Sequence, residues 1–320
     1  MKKRFLSFVL ALATVAALAA LCTACSFSTR PTTWSGKYKY DNAKKYTAGV
    51  KSFAAGAVTD LDVDWGAGTV LVEEDETVTE ITLRETVYTG KSDDTPAVSE
   101  NEVLYHWLDG ETLRVKFLRS KWGKQGVSAK ILHVLLPTGK ALGTVKIHSD
   151  TAHAEVSGIT AQRVELTSAS GPLAASYAKV TELDCESVSG NVSVYGTFGT
   201  ARLKTTSGEA YACTSEEFSV DRLTIETVSG SVLCEGKEDR LAGETRIDTV
   251  SGNVKLQFSH DMAYVIDFTT TSGVYESQFG TDETKTGSRY TVGTDGGHIA
   301  VSTTSGKVSV TRLIKKPHQE

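Results

Sequence analysis

The side chains able to do chemistry in this 320-residue chain are few and scattered. The histidines are His106, His133, His148, His153, His260, His298 and His318, and no two of them are set at the spacing of a helical metal site. Cys185, Cys213 and Cys234 form no CxxC pair; Cys185 and Cys234 fall at inward places of the repeats described below and read as buried small hydrophobes, whereas Cys213, five past its corner, is expected to face out. The metalloprotease HExxH, the phosphate-binding glycine loop and the Gly-x-Ser-x-Gly nucleophile turn are absent from the sequence. A polysaccharide lyase or hydrolase needs acidic or basic groups clustered on one face. The charges here alternate in sign along the repeats described below. One basic loop stands out: Arg119, Lys121, Trp122 and Lys124, with Lys130 close by. Such a loop offers a contact to anionic lipid or polymer through an exposed ring and its cations. The competing reading, a hairpin turn whose tryptophan packs on its own strands, is the more ordinary one. The sequence therefore predicts no catalytic residue, no metal site and no cofactor.

The first segment belongs to export rather than to the fold. Lys2, Lys3 and Arg4 precede an apolar run from Phe5 to Leu21, and small residues then lead to Cys25. This is the layout of a secretory leader, residues 1–24, and the run is short for a membrane span. Cys22-Thr23-Ala24-Cys25 resembles a bacterial lipobox, in which the final cysteine becomes residue one and carries lipid. Thr23 and Ala24 fit that pattern, whereas Cys22 stands where leucine is usual. Plain cleavage near Ala24 with a free Cys25 is the alternative. Residues 25–50 read as a polar tether between anchor and fold. The expected location is the extracytoplasmic face of the cell membrane, with the membrane as a partner through the lipid. The net charge is −5, and loss of the three leader cations takes it to −8, which argues against nucleic acid as a partner.

The elements that would hold any site are repeats. Ser-Gly recurs at Ser170-Gly171, Ser189-Gly190, Ser207-Gly208, Ser229-Gly230, Ser251-Gly252, Ser272-Gly273 and Ser305-Gly306, and Ser149-Asp150 reads as an eighth copy. Five places before these corners stand Val145, Leu166, Cys185, Leu203, Ile225, Ile247, Phe268 and Val301. Three places before them, Ser168, Ser187, Thr205, Thr227, Thr249, Thr270 and Thr303 recur. Apolar residues also occupy the second and fourth places after most corners. Period-two alternation on both sides predicts two strands joined by a bend, with a one-residue slip of the inward face at the corner. The glycine is expected to supply a positive φ there. A repeat of about 20 residues cannot bury its apolar face alone, so the units must stack. The prediction is an all-β, parallel β-solenoid of about eight coils over residues 143–314, roughly 35–40 Å long. Outward residues of neighbouring coils carry opposite charges, as in Asp184/Arg202 and Glu186/Lys204, and read as solvated structural pairs.

Residues 51–142 alternate less regularly and are read as a β-rich cap on the first coil. The long gap before the last corner holds Gly280, Gly287, Gly293 and Gly297 and is read as an insertion; residues 315–320 form a charged tail.

The alternating strands, the run Ile131 to Gly139 (ILHVLLPTG) and the serial TVSGNV and TTSGKV units resemble the bacterial putative-adhesin family, a β-strand-repeat domain of unknown function. The likeness runs from about Phe53 to Leu313. It implies an exported or envelope-associated β-solenoid and carries no catalytic residues across. The function expected is a non-enzymatic, lipid-anchored surface module with an unidentified envelope or protein ligand. A sensor or scaffold for a membrane envelope-stress system and a carbohydrate-active solenoid enzyme are the alternatives.

Overall fold

The computed structural model describes residues 42–88, 104–117, 129–215, 217–237, 243–259, 261–294 and 296–313. Cys25 and the loop residues Arg119, Lys121, Trp122 and Lys124 lie outside the described residues. Apart from three short 3-10 turns, the regular structure described is all strand. The N-terminal strands are β1 (Thr47–Ala48), β2 (Ser52–Ala54), β3 (Asp60–Trp65), β4 (Thr69–Asp75), β5 (Glu80–Tyr88), β6 (Tyr105–Asp109), β7 (Thr112–Phe117) and β8 (Ala129–Pro137). The middle of the chain forms β9 (Ala141–Ser149), β10 (His153–Ser157), β11 (Thr160–Ser168), β12 (Leu173–Ser187), β13 (Val192–Thr205), β14 (Ala210–Thr214), β15 (Val220–Thr227) and β16 (Val232–Gly236). The last third forms β17 (Glu244–Thr249), β18 (Val254–Phe258), β19 (Tyr264–Thr270), β20 (Val274–Ser277), β21 (Glu283–Thr286), β22 (Arg289–Val292), β23 (Gly297–Thr303) and β24 (Lys307–Arg312).

These strands build two parallel ladders joined corner by corner. The arms before the corners stack in the order β7, β3, β9, β11, the end of β12, the end of β13, β15, β17, β23, β19. The arms after the corners stack as β8, β4, β10, the start of β12, the start of β13, β14, β16, β18, β24, β20. At 4.8 Å per rung, ten rungs extend on the order of 45 Å. Like residues lie on like, as Leu203 on Ile225 and Ile225 on Ile247, so one apolar core runs the length of the stack. Each fully buried aliphatic side chain in it contributes about 1.5–3 kcal/mol.

Residues 51–142 are therefore more than a cap on the solenoid, because they also include two further coils of it. β3–β4 pairs with β9–β10 on one side and β7–β8 on the other. The Ser-Gly signal is missing there because Trp65 and Gly68 occupy the places of Thr and Gly, and Phe117 and Lys130 occupy them one rung further out. Within that range the capping itself falls to β6 and β5, which run antiparallel on the outer edges of β7 and β8. At the opposite end the predicted insertion is the hairpin β21–β22, antiparallel on the outer edge of β19. Antiparallel terminal strands take up hydrogen bonds that an open parallel edge would offer to another chain.

The eighth corner also shifts. Ser168 pairs with Ser149 and Leu173 with Ala154, so Ala152, not Asp150, stands in the glycine place. A two-residue error leaves a period-two pattern intact, which is why Val145 and Ile147 fitted either register.

The reason for glycine at the corners differs from the predicted one. None of the seven Ser-Gly glycines has positive φ. They are needed because each lies against the corner carbonyl of the next rung. A methyl at Gly190, Gly208, Gly230 or Gly252 would overlap the carbonyl oxygen of Gly171, Gly190, Gly208 or Gly230. The Ser and Thr side chains three places before these glycines serve the corners themselves. Each hydroxyl turns back on its own corner and accepts the N–H of the glycine three residues on, at 2.7–3.0 Å, from Ser168–Gly171 through Thr303–Gly306. The buried bend would otherwise leave that donor unpaired.

Candidate functional site

The regular outer faces are structural. Arg202 bridges Asp184 at 3.6 Å and Glu226 at 3.0 Å, and Lys204 meets Glu186 at 2.8 Å, as the alternating signs predicted. Among the described histidines each of these has its own partner: His106 bonds the Gly49 carbonyl, His133 meets Glu73, His148 meets Thr167 and His298 meets Asp267. Among the described residues no three His, Cys, Asp or Glu side chains converge on a metal position. Cys185, Cys213 and Cys234 are all buried and unbridged. Cys213, expected to face out, is covered on its rung, and burial pushes the Cys234 thiol up to about 12.

Lys130 does not belong to a solvent-facing basic loop. It is 2% exposed on β8, beside the Glu85 carboxylate, with its ammonium 4.0 Å from the centre of the Phe117 ring and 5.4 Å from that of Trp65. Burial pushes it down to about 7. It fills the corner of the outermost coil, where other coils carry glycine.

One place breaks the regularity of the stack. Between Ser176 and Lys179 the register with β13 slips, because β12 carries one residue more than its partner there. This bulge accounts for the 19-residue spacing from Gly171 to Gly190, against 18 from Gly190 to Gly208. At the bulge Tyr177 has φ +53, one of two non-glycine residues with positive φ among those described. The residue directly below it, Gly158, has φ +68 in the same turn, where glycine adopts it freely. A tyrosine held there costs about 1–2 kcal/mol.

The strained turn points the ring outward. Tyr177 is 60% exposed, the most exposed large hydrophobic residue described. Tyr195, one rung along, stands 5.0 Å away edge to face, and Phe218 stands 5.5 Å from Tyr177 and 6.0 Å from Tyr195. Phe218 is fixed by a tight turn in which Ser215 and Phe218 exchange backbone hydrogen bonds at 2.9 and 3.3 Å. Three successive rungs thus each contribute one ring to a single outer platform. The rings offer C–H-accepting faces and two phenol groups, and contain no nucleophile or base suited to bond cleavage. Such a surface stacks on apolar faces of ring-shaped ligands; ring–ring contacts of this geometry are themselves worth about 0.5–1.5 kcal/mol each. Periodicity alone did not single these residues out. The available signal was the odd coil length, together with tyrosines 18 residues apart at Tyr177 and Tyr195.

The model of the Toastrack DUF4097 family matches residues 58–311. No curated protein matches. Among solved structures, a putative cell adhesion protein from Clostridium sporogenes is 11% identical, covering 84% of this chain and all of its own, with a TM-score of 0.25. A putative adhesin from Bacteroides fragilis is 12% identical over 86% of this chain and all of its own, at 0.44. A putative lipid binding protein from Parabacteroides distasonis is 12% identical over 87% of this chain and all of its own, at 0.40. The family match spans both ladders except for Arg312, and it bears out the resemblance seen in the serial Ser-Gly units: the chain belongs to the Toastrack DUF4097 family.

Proposed function

We propose that the protein is a non-enzymatic binding module of the bacterial envelope, exported, lipid-anchored through Cys25, and engaging its ligand with the Tyr177/Tyr195/Phe218 platform. The observation that carries this reading is Tyr177: an exposed ring on left-handed backbone, above a coil that uses glycine at the same position. Backbone strain retained at an exposed aromatic is the kind of cost that folding does not demand and binding does. The platform is uncharged, whereas the arms before the corners are lined with ion pairs. This favours a neutral, ring-bearing ligand such as a cell-wall or surface glycan over an anionic polymer.

The test is a co-sedimentation of the mature protein with insoluble cell-wall glycan and, separately, with anionic vesicles. Binding to glycan that falls at least tenfold in Tyr177→Ala and Phe218→Ala, with unchanged far-UV circular dichroism, is the expected result. Equal binding by wild type and both variants would remove the platform from the function. Vesicle binding insensitive to both variants would move the function to the basic loop at Arg119, Lys121, Trp122 and Lys124.

A further inference from the structure

The last two coils are stacked in the reverse of their order in the chain. β23–β24, the final pair, lies between β17–β18 and β19–β20. Five residues separate β18 from β19 and 38 separate it from β23, so β19–β20 has the shorter loop to close and reaches the open edge of β17–β18 first. We infer that β19–β20 first stacks directly on β17–β18 and is then displaced outward by one rung as β23–β24 inserts.

Three observations support a serial state. The first is register. Val301 lies between Ile247 and Phe268, and Thr303 lies between Thr249 and Thr270. Val308 likewise separates Val254 from Tyr275. Removing the middle rung leaves Ile247 facing Phe268, Thr249 facing Thr270 and Gly252 facing Gly273, the same columns found elsewhere in the stack. Both exchanging corners read Thr-Thr-Ser-Gly, at residues 303–306 and, one residue longer, Thr-Thr-Thr-Ser-Gly at 269–273. The second is reach. Five residues connect β18 to β19, and five connect β14 to β15, which span a single rung.

The third is that the final order is chosen by composition rather than by chain order. β23–β24 brings Val301, Val308 and Val310 to the interior, all at most 1% exposed. β19–β20 brings Phe268, Tyr275 and Ser277, and its Val274 remains 54% exposed. Ser277 stands where the next two coils carry Val310 and Leu256. Tyr275 is stacked on Tyr290 at 3.7 Å, with its hydroxyl on Glu283 at 2.6 Å, so it is served by the capping hairpin. An aliphatic coil gains more from a position flanked on both sides, and an aromatic, partly polar coil suits the end. The link into β23 passes so closely over Ala263 that a methyl at Gly296 would overlap the Ala263 backbone, and glycine there permits that crossing.

Paired cysteines distinguish the two orders. Asp248 faces Ser302, which in turn faces Thr269. Neighbouring rungs stand about 4.8 Å apart, within disulfide range, and next-nearest rungs about 9.6 Å apart, beyond it. In the full chain, D248C/S302C is expected to cross-link in the native protein and D248C/T269C is not. During refolding from denaturant, oxidative trapping at early times is expected to give the D248C/T269C disulfide in at least half of the molecules, with the D248C/S302C disulfide rising later. Weakening the inserted coil with V308A should lengthen the life of the early species severalfold. A D248C/T269C disulfide that never exceeds its native level at any refolding time, with D248C/S302C forming from the start, would overturn the inference. So would D248C/T269C cross-linking in the native protein.

Discussion

At the scale of the residue, the corner threonine is the clearest link between sequence and structure. Its recurrence three places before glycine was plain in the sequence, but its role was not. Alternation says that a side chain points inward and is silent on which group it meets. The hydroxyl meets the N–H of its own glycine, at 2.9 Å in Thr227–Gly230. Thr227→Val keeps the volume and removes the acceptor, so it is expected to cost about 1–3 kcal/mol, the penalty of an unpaired buried donor. Thr227→Ser should retain most of the stability. Urea denaturation of the two variants side by side measures the difference, and equal losses would show that the methyl rather than the hydroxyl matters. The same limit hid the platform: φ at Tyr177 depends on a one-residue bulge that apolar periodicity does not register.

At the scale of the element, arms and corners were legible wherever the columns repeated, and were misjudged where side chains changed but backbone did not. Trp65, Phe117 and Lys130 disguise two outer coils because an end coil is covered by different neighbours and tolerates different interior residues. The hairpin β21–β22 is held to β19 by Arg289, whose guanidinium donates to both Asp267 carboxylate oxygens at 2.8 Å, with His298 on the same carboxylate. These partners hold the Asp267 carboxyl well below its ordinary range. A carboxyl depressed on folding contributes stability that is present above its unfolded value of about 3.9 and is lost as pH falls through the folded value. The pair is exposed, so the contribution is small and screened by salt. Asp267→Asn is therefore expected to lower the urea midpoint slightly at pH 7 and low ionic strength, with the gap to wild type closing as pH falls below about 3. A gap that widens in acid would contradict the assignment.

At the scale of the whole molecule, an all-β stack with one continuous core was readable from the like-on-like columns, and membership of the Toastrack family bears that reading out. The order of coils at the two ends was not readable. Columns report which residues share a rung position, while the neighbour of each rung is settled by which coil best fills an interior or a terminal place. The proposed lipid anchoring through Cys25 belongs to this scale as well. Cys25→Ser in the full-length precursor is expected to move the protein from the membrane fraction to the soluble exported fraction, and mass spectrometry of the wild-type N-terminus should find acyl chains on Cys25. An unmodified N-terminus beginning at or before Cys25 would contradict lipid anchoring.

The reversed order at both ends has a mechanical side. Entering from either terminus, the chain's first corner-forming pair is not the outermost rung: β3–β4 is covered by β7–β8, and β24 is covered by β20. Once β1 and β2 have left the edges of β6 and β5, a pull on either end of the chain cannot unzip the two ladders from their tips. It loads a rung held by hydrogen bonds along both edges, so the ends are latched against peeling by the segments they themselves enclose.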